Sequence, residues 1–372
     1  MYQILFEIPT PWGQVPVFGY GLMLFLAFAV GGWLAARRAQ TVGIAGEHIW
    51  DIATYCFVGG VLGDRLLALL IDPQPGDLWQ QLYRFVEIWK GGLVFYGGLA
   101  GGAAAYLLAW WRIVRPHRLG TLRIADIVTP SIALGIFFGR FGCFLNGCCY
   151  GGVADLEQIP WAVRFPAHSP PHRDLVARGV QTAFGFLLRE DQPDVVAVVE
   201  HGSPADRAGL RPGDRLVRVG DLPCDHAAEL YRNLIQWPAG RPLRLRILRT
   251  EDGLEQTVDL TFQPAGSLPV HPTQLYNSLD GLLLFFLLHA FWPYRRREGQ
   301  VLALFLILYP VNRFLMESLR MDNPPTWFGL TLSQNLSLDT FALGWVVLLG
   351  VSRAGPAPSA ALSADANSPA GP

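Results

Sequence analysis

Charge is scarce in this chain. Of its 372 residues 16 % are charged and 51 % hydrophobic, a balance too apolar for an ordinary soluble protein of this length. Other patterns are missing as well. None of the eight histidines stands in a helical H-E-x-x-H, which excludes the zinc-dependent intramembrane protease signature. Ser131 sits in TPSIALG and not in a G-x-S-x-G setting, so a rhomboid-like serine site is excluded too. The two halves are not alike, which speaks against a transporter built from repeats. The net charge of −1 is silent about partners, because its distribution along the chain is the informative quantity. No nucleic-acid partner is expected.

What the chain has is apolar length. Runs near Val17–Ala36, Trp50–Ile71, Leu93–Trp111, Ile124–Leu145, Leu275–Trp292, Val301–Ser318 and Leu336–Val351 each approach the roughly 17–25 residues that cross a bilayer. Seven spans are therefore expected. The first run has Glu7 before it and Arg37-Arg38 after it, so it reads as a retained helix with an outside N-terminus, not as a signal peptide. Arg112, Arg115, Arg118 and Arg123 follow span three, Arg295–Arg297 follow span five, and Arg353 follows span seven. With seven alternating helices all these clusters fall on the cytoplasmic side. The low-charge segment 72–89, and everything between spans four and five, is then outside.

Between spans four and five the composition changes. VVAVVE (195–200), RLVRVG (215–220), LRLRILR (243–249) and TVDLTF (257–262) alternate with period two, as strands do. Asp225–Gln236 reads as a helix capped by Asp225. The stretch SPADRAGLRPGDRLVRVGD (203–222) resembles the most recognisable part of a PDZ domain. A short helix over Ala205–Ala208 ends at Gly209, and Arg211-Pro212-Gly213-Asp214 turns into a strand. With Ala183-Phe184-Gly185-Phe186 at the place of the carboxylate-binding loop, the order of elements is similar to the circularly permuted bacterial form. Such domains bind extended peptides at a sheet edge; a structural spacer is the other reading. The expected fold class is an α-helical polytopic membrane protein with seven transmembrane helices and an inserted extracytoplasmic α+β PDZ domain. Its expected parts are a membrane domain over 1–175, the insert over 176–266, a second membrane portion over 267–353 and a disordered cytoplasmic tail over 354–372.

Polar residues interrupt the apolar runs. Span four closes in GRFGCFLNGCCYGG (139–152), and an arginine kept at the end of a membrane-length run is a functional candidate. Tyr20 lies in GYGLM, Asp64-Arg65 in span two, Tyr96-Gly97-Gly98 at the start of span three and Asp126 at the start of span four. His271-Pro272-Thr273-Gln274-Leu275-Tyr276 precedes span five. Tyr309, Arg313 and Glu317 share one helical face of span six, where Arg313 and Glu317 are spaced for an intrahelical ion pair.

GYGLM, GDR, FYGGLAGG, D-x-x-x-P, GRFGCFLNG-x-x-x-G, HPTQLY, Y-x-x-x-R-x-x-x-E and Ser333-Gln334, in that order, resemble the phosphatidylglycerol–prolipoprotein diacylglyceryl transferases. The resemblance covers the membrane part of the chain. It implies a multi-pass bacterial inner-membrane enzyme without cofactor. Such an enzyme moves a diacylglyceryl group from phosphatidylglycerol to the lipobox cysteine of a prolipoprotein signal peptide, makes a thioether and releases glycerol-1-phosphate. Arg140 and Arg313 match the family's essential arginines, and guanidinium groups suit an anionic phosphodiester and its departing phosphate. The resemblance also implies substrate-binding roles for Tyr20, Arg65, Gly97, Gly98, Asn146, Gly147, Gly151, His271, Gln274, Tyr309 and Glu317, with Glu317 orienting an arginine.

The chain departs from the family at its favoured base. Tyr96 stands where the family usually has histidine, and a phenol with pKa about 10 is a poor base at neutral pH. Cys143 and Cys148 replace a usual asparagine and glutamate, and Asn277 a usual glutamate. Three readings stand side by side. Tyr96 positions the thiol while the arginine field activates it; or His271 moves the proton; or the chain is a noncatalytic lipid- and peptide-binding scaffold. Cys143, Cys148 and Cys149, as C-x4-C-C at an outside face, read as packing or as a redox pair. No metal spacing is evident and no metal is expected.

Overall fold

The computed structural model describes residues 4–71, 95–223, 242–260, 266–320 and 325–353, apart from positions 12, 168, 179, 183, 190, 193, 221 and 251–252. The expected helix at 225–236, the segment 72–89, Ala183, Cys224 and the tail 354–372 lie outside the described residues, as does the side chain of Tyr96. The chain divides into two compact units. One comprises Met1–Gly19, Cys143–Leu275 and Leu319–Asp322; the other comprises Tyr20–Gly142, Tyr276–Ser318 and Asn323–Pro372. Residues 143–175, assigned from sequence to the membrane part, fall in the first of these.

The second unit is helical. Its main elements are α1 (Gly19–Gln40), α2 (Gly46–Ile71), α3 (Phe95–Ala109), α4 (Thr121–Asn146), α7 (Thr273–Phe291), α8 (Gln300–Glu317) and α9 (Leu332–Arg353). Among the described residues six of these are long and apolar enough to cross a membrane: α1, α2, α4, α7, α8 and α9. At the third expected span the described residues hold α3, of 15 residues, which runs directly into a π-helical turn at Trp110–Val114 and is not among those six. The first expected span began at Val17, but α1 begins at Gly19. Val17 and Phe18 are instead paired with Phe6 and Ile4 across a hairpin, and a residue in an extended ladder cannot also begin a helix.

Small residues set how closely these helices approach. On α2, Gly59 and Gly63 face Gly97 and Gly101 of α3. A Cβ added at Gly63 would lie 2.6 Å from Gly101 Cα, and one added at Gly97 would lie 2.6 Å from Gly63 O. Backbone meets backbone there, as in small-xxx-small pairs of membrane helices. Gly281 of α7 packs against Phe137 N of α4 in the same manner, at 2.8 Å. Two polar side chains find backbone partners within the bundle. Arg38 donates to Ile127 O (2.6 Å), and Ser278 Oγ donates to Phe137 O (2.9 Å).

The first unit begins with the hairpin of β1 (Ile4–Thr10) and β2 (Gly13–Phe18), which sequence reading did not anticipate. It then holds α5 (Pro170–Ala177), capped by Ser169, and the inserted elements. These are β3 (Phe186–Leu188), β4 (Val196–Val199), α6 (Pro204–Arg207), β5 (Arg215–Val219), β6 (Leu222–Pro223), β7 (Leu243–Leu248) and β8 (Glu255–Leu260). β3 pairs with β4, and a four-stranded sheet runs β6-β5-β7-β8. The four alternating runs read from sequence are thus all strands. Their inward residues, Leu216, Val219, Leu243, Leu245, Ile247, Val258 and Leu260, join Phe184, Phe186, Ala205 and Leu210 in one core. Local chemistry fixes the turns. Ser203 Oγ caps α6 at Asp206 N (3.1 Å), and Gly213 at φ +92° follows Pro212 in a type II turn. The Asp214 carboxylate then accepts from Arg211 N (2.8 Å).

Candidate functional site

Arg313 lies near the end of α8 and is held on two sides. Its Nη1 donates to Glu317 Oε2 (2.6 Å) and its Nη2 to Ser333 Oγ (2.8 Å). The second oxygen of Glu317 accepts from Thr331 Oγ1 (3.0 Å). Thr331 and Gln334 form a capping box at the start of α9: Thr331 N donates to Gln334 Oε1 (3.0 Å) and Gln334 N to Thr331 Oγ1 (3.3 Å). The Glu317 side chain is fully buried and that of Arg313 is 15 % exposed, so the guanidinium is preoriented with one edge open. Sequence reading found the ion pair and the Ser333-Gln334 motif. It missed that Ser333 is the arginine's second partner and that Thr331 steadies the glutamate. The packing of α9 against α8 brings them together.

Arg140 differs. It lies in α4, half-buried, and among the described residues it makes no hydrogen bond or ion pair. A guanidinium in an apolar helix without a protein counter-charge is a ready anion ligand. In the same unit the Tyr20 ring packs on α4, where a Cβ at Gly142 would lie 3.0 Å from Tyr20 Cδ2. The Tyr309 ring stacks on Phe305 at 5.4 Å. Asp64 and Arg65 are buried on α2. Gly97 is sealed by Gly63, Asp64 and Leu67, while Gly98 remains half-exposed.

Asp126 has a role that the motif D-x-x-x-P did not disclose. Its carboxylate accepts from Gly299 N (2.7 Å) and Leu302 N (2.9 Å), so it caps the start of α8 from another helix. Gly299 itself offers no side-chain cap, and the carboxylate meets the positive end of the helix dipole.

The signature that closes α4 is shaped in the first unit. Gly147, at φ +82°, ends the helix: its N–H donates to Phe144 O (3.2 Å) and Cys148 N donates to Cys143 O (3.2 Å). This is a Schellman reversal, which requires a residue at positive φ and so favours glycine. Cys149 follows at φ +60°, unusual for a residue with a side chain. The HPTQLY segment holds this turn in place. Thr273 Oγ1 donates to Cys149 O (2.8 Å) and Gln274 Nε2 to Cys148 O (2.8 Å). Gly151 N donates to His271 O (2.9 Å), and His271 N to Gly152 O (3.0 Å). A Cβ at Gly151 would lie 2.7 Å from His271 Cβ. The Cys148 thiol donates to Cys143 O (3.8 Å). Sequence reading separated the signature from HPTQLY by more than a hundred residues; the backbone pairs them.

The reversal also folds Cys148 and Cys149 back over Cys143. The three Sγ atoms lie within 4.8 Å of one another, and none is in a disulfide. This convergence was not visible in the spacing C-x4-C-C, because the spacing alone does not show that the chain turns back on itself after Asn146.

A set of long apolar helices carrying buried, mutually bonded charges defines a multi-pass membrane protein with a polar site among its helices. The model of the family described as prolipoprotein diacylglyceryl transferase matches residues 3–350. The chain belongs to that family. It is 30 % identical over 371 residues to a phosphatidylglycerol–prolipoprotein diacylglyceryl transferase of Rhodopirellula baltica, covering 90 % of this chain and 72 % of the relative. Relatives of the same name from Xanthomonas euvesicatoria and Pectobacterium atrosepticum are 29 % and 28 % identical. The former alignment covers 92 % of this chain and 90 % of the relative, the latter 93 % of each. A solved HtrA-type protease with decapeptide overlaps 27 % of this chain and 34 % of its own at 17 % identity and a TM-score of 0.20, too little to bear on the fold.

Proposed function

We propose that this protein transfers the diacylglyceryl group of phosphatidylglycerol to the lipobox cysteine thiol of prolipoproteins. The cysteine sulfur forms a bond to the glyceryl carbon as that carbon's bond to the phosphate oxygen breaks. The thiol proton is lost, and glycerol-1-phosphate leaves carrying the added negative charge. Family membership supports the reaction class. The observation that carries the assignment to this chain is the contrast between its two arginines: Arg313 fixed by Glu317 and Ser333, and Arg140 without a protein counter-charge among the described residues. Arg313 is then the preoriented donor for the phosphate, and Arg140 binds the donor lipid and offsets the charge that grows on the leaving group. Arg65, Tyr20, Tyr309 and Gly98 border the donor, and Gly97 lets the backbone come close there. Asn146, Gly147 and Gly151 take substrate-binding roles by their match to the family signature, Gln274 and His271 hold the signature turn, and Glu317 orients Arg313.

Tyr96 positions the acceptor thiol, and the arginine field lowers the cost of its ionisation. The clustering of arginines after spans one, three, five and seven supports a topology with the N-terminus and the insert outside the cytoplasmic membrane and the C-terminus in the cytoplasm. The strand order and the Ser203–Asp214 turn chemistry support a PDZ fold for the insert, which recruits client proteins through an extended peptide. Deletion of Gln181–Pro264 tests recruitment; lipidation of every client at the native rate after deletion removes that role. For catalysis, the test is transfer of labelled diacylglycerol to a lipobox peptide by the purified protein and its Arg140→Ala and Tyr96→Phe variants. The alanine variant is expected to lose transfer by on the order of 100-fold or more, the scale of a lost transition-state donor. Phosphatidylglycerol binding with no transfer by the native chain makes it the scaffold that Tyr96, in place of the family histidine, otherwise suggests.

A further inference from the structure

We propose that Cys143, Cys148 and Cys149 form a three-thiolate site for a soft, thiophilic metal cation of the Cu(I) type. The three Sγ atoms already lie within 4.8 Å of one another, all on half-buried side chains. A metal–thiolate bond of about 2.3 Å sets sulfur–sulfur distances of roughly 3.8–4.0 Å around a shared ion. Each pair therefore needs to close by less than about 1 Å, a rotamer adjustment and not a backbone change. A disulfide needs about 2.05 Å between sulfurs and uses only two of the three, and the adjacent pair Cys148–Cys149 closes a strained ring. Threefold convergence therefore suits an ion better than a disulfide.

The surroundings are built to keep the thiols together. The reversal at Gly147 fixes Cys148 over Cys143 through Cys148 N to Cys143 O. Thr273 and Gln274 pin the carbonyls of Cys149 and Cys148. Partners of this kind orient metal ligands from one step outside the coordination sphere. They also hold Cys149 at positive φ, a conformation that a turn with no use for that side chain would give to glycine. Among the described residues no histidine or carboxylate joins the group. An all-sulfur, three-ligand set selects a soft ion over hard Mg²⁺ or Ca²⁺, and it lacks the fourth protein ligand of a closed structural Zn²⁺ site, whereas three thiolates suit Cu(I). Binding releases the thiol protons to solvent.

The experiment uses the full-length protein, purified reduced and without oxygen, with its thiols counted before titration. Cu(I) is delivered in competition with a chromophoric Cu(I) chelator. The expected result is one ion per chain, an ultraviolet thiolate-to-copper band, and copper–sulfur distances near about 2.3 Å by X-ray absorption. Cys143→Ser, Cys148→Ser and Cys149→Ser should each weaken binding on the order of 100-fold, since each removes a first-sphere thiolate. Cys56→Ser should leave it unchanged. Alkylating the thiols of the native protein should abolish binding, which keeps the test independent of whether a variant folds. Binding retained after alkylation or in the triple serine variant overturns the proposal. So does a fully reduced native chain that takes up no Cu(I).

Discussion

Replacing Asp126 by alanine separates a structural carboxylate from a chemical one. The residue is 1 % exposed and satisfies two N–H groups at the start of α8, those of Gly299 and Leu302. Each is a charge-assisted hydrogen bond of about 1.5–3 kcal/mol, and the truncation leaves the buried Gly299 N–H and the half-buried Leu302 N–H without a replacement. Partial relaxation of the first turn recovers some of this, so the expected loss is roughly 3–5 kcal/mol. Asp126→Asn keeps one acceptor oxygen but turns an amide N–H₂ toward a donor, and should lose about half as much. The assay is equilibrium unfolding of the purified protein in lipid–detergent bicelles, with hydrogen exchange read at 299–303. Exchange there should accelerate while the Arg313–Glu317 end of α8 stays protected, and transfer per folded molecule should stay near the native rate. A stability change under about 0.5 kcal/mol, the range of an ordinary surface substitution, refutes the capping argument. So does loss of transfer with exchange at 299–303 unchanged.

Other outcomes follow from the same geometry. Glu317→Ala strands a guanidinium that is 15 % exposed and should destabilise by about 3–5 kcal/mol. A double-mutant cycle with Arg313→Ala should show strong coupling, and additive effects would deny the pair. Gly63→Val forces its side chain onto the backbone of Gly101 and should lower thermal stability by at least about 2 kcal/mol; a native melting temperature would mean that α2 and α3 do not pack this way. Gly147→Ala strains the C-cap at φ +82° and should cost about 1 kcal/mol, with Gly147→Asn less damaging; equal effects of the two would count against a left-handed cap. In the insert, Arg244 holds the Asp259 carboxyl below its usual range. A depressed folded pKa means that this contribution is present above about pH 4 and is lost as pH falls further. Asp259→Asn should flatten the acid-side change in β7–β8 amide exchange, and an unchanged profile would show that the exposed pair contributes nothing.

The membrane helices were legible because a long apolar run is a local property: six of the expected spans match helices to within a few residues. The strands of the insert were legible for the same reason, since Leu243, Leu245 and Ile247 alternate with Arg244 and Arg246. The hairpin at Ile4–Phe18 was not, because Pro9, Pro11 and Pro16 break its alternation and Val17-Phe18 look like the start of a span. Asp126 stood out as a polar interruption, yet its partners lie 173 and 176 residues further on, and no periodicity encodes them. The thiol cluster needed the reversal at Gly147, and Ser333 needed the packing of α9 against α8.

The central claim is that the chain retains diacylglyceryl transfer with tyrosine at position 96. Its most direct test is mass spectrometry of a lipobox peptide incubated with the purified protein and phosphatidylglycerol. The prediction is a diacylglyceryl thioether on the cysteine, formed one-for-one with glycerol-1-phosphate and absent when that cysteine is serine. Unmodified peptide beside intact, protein-bound phosphatidylglycerol contradicts it.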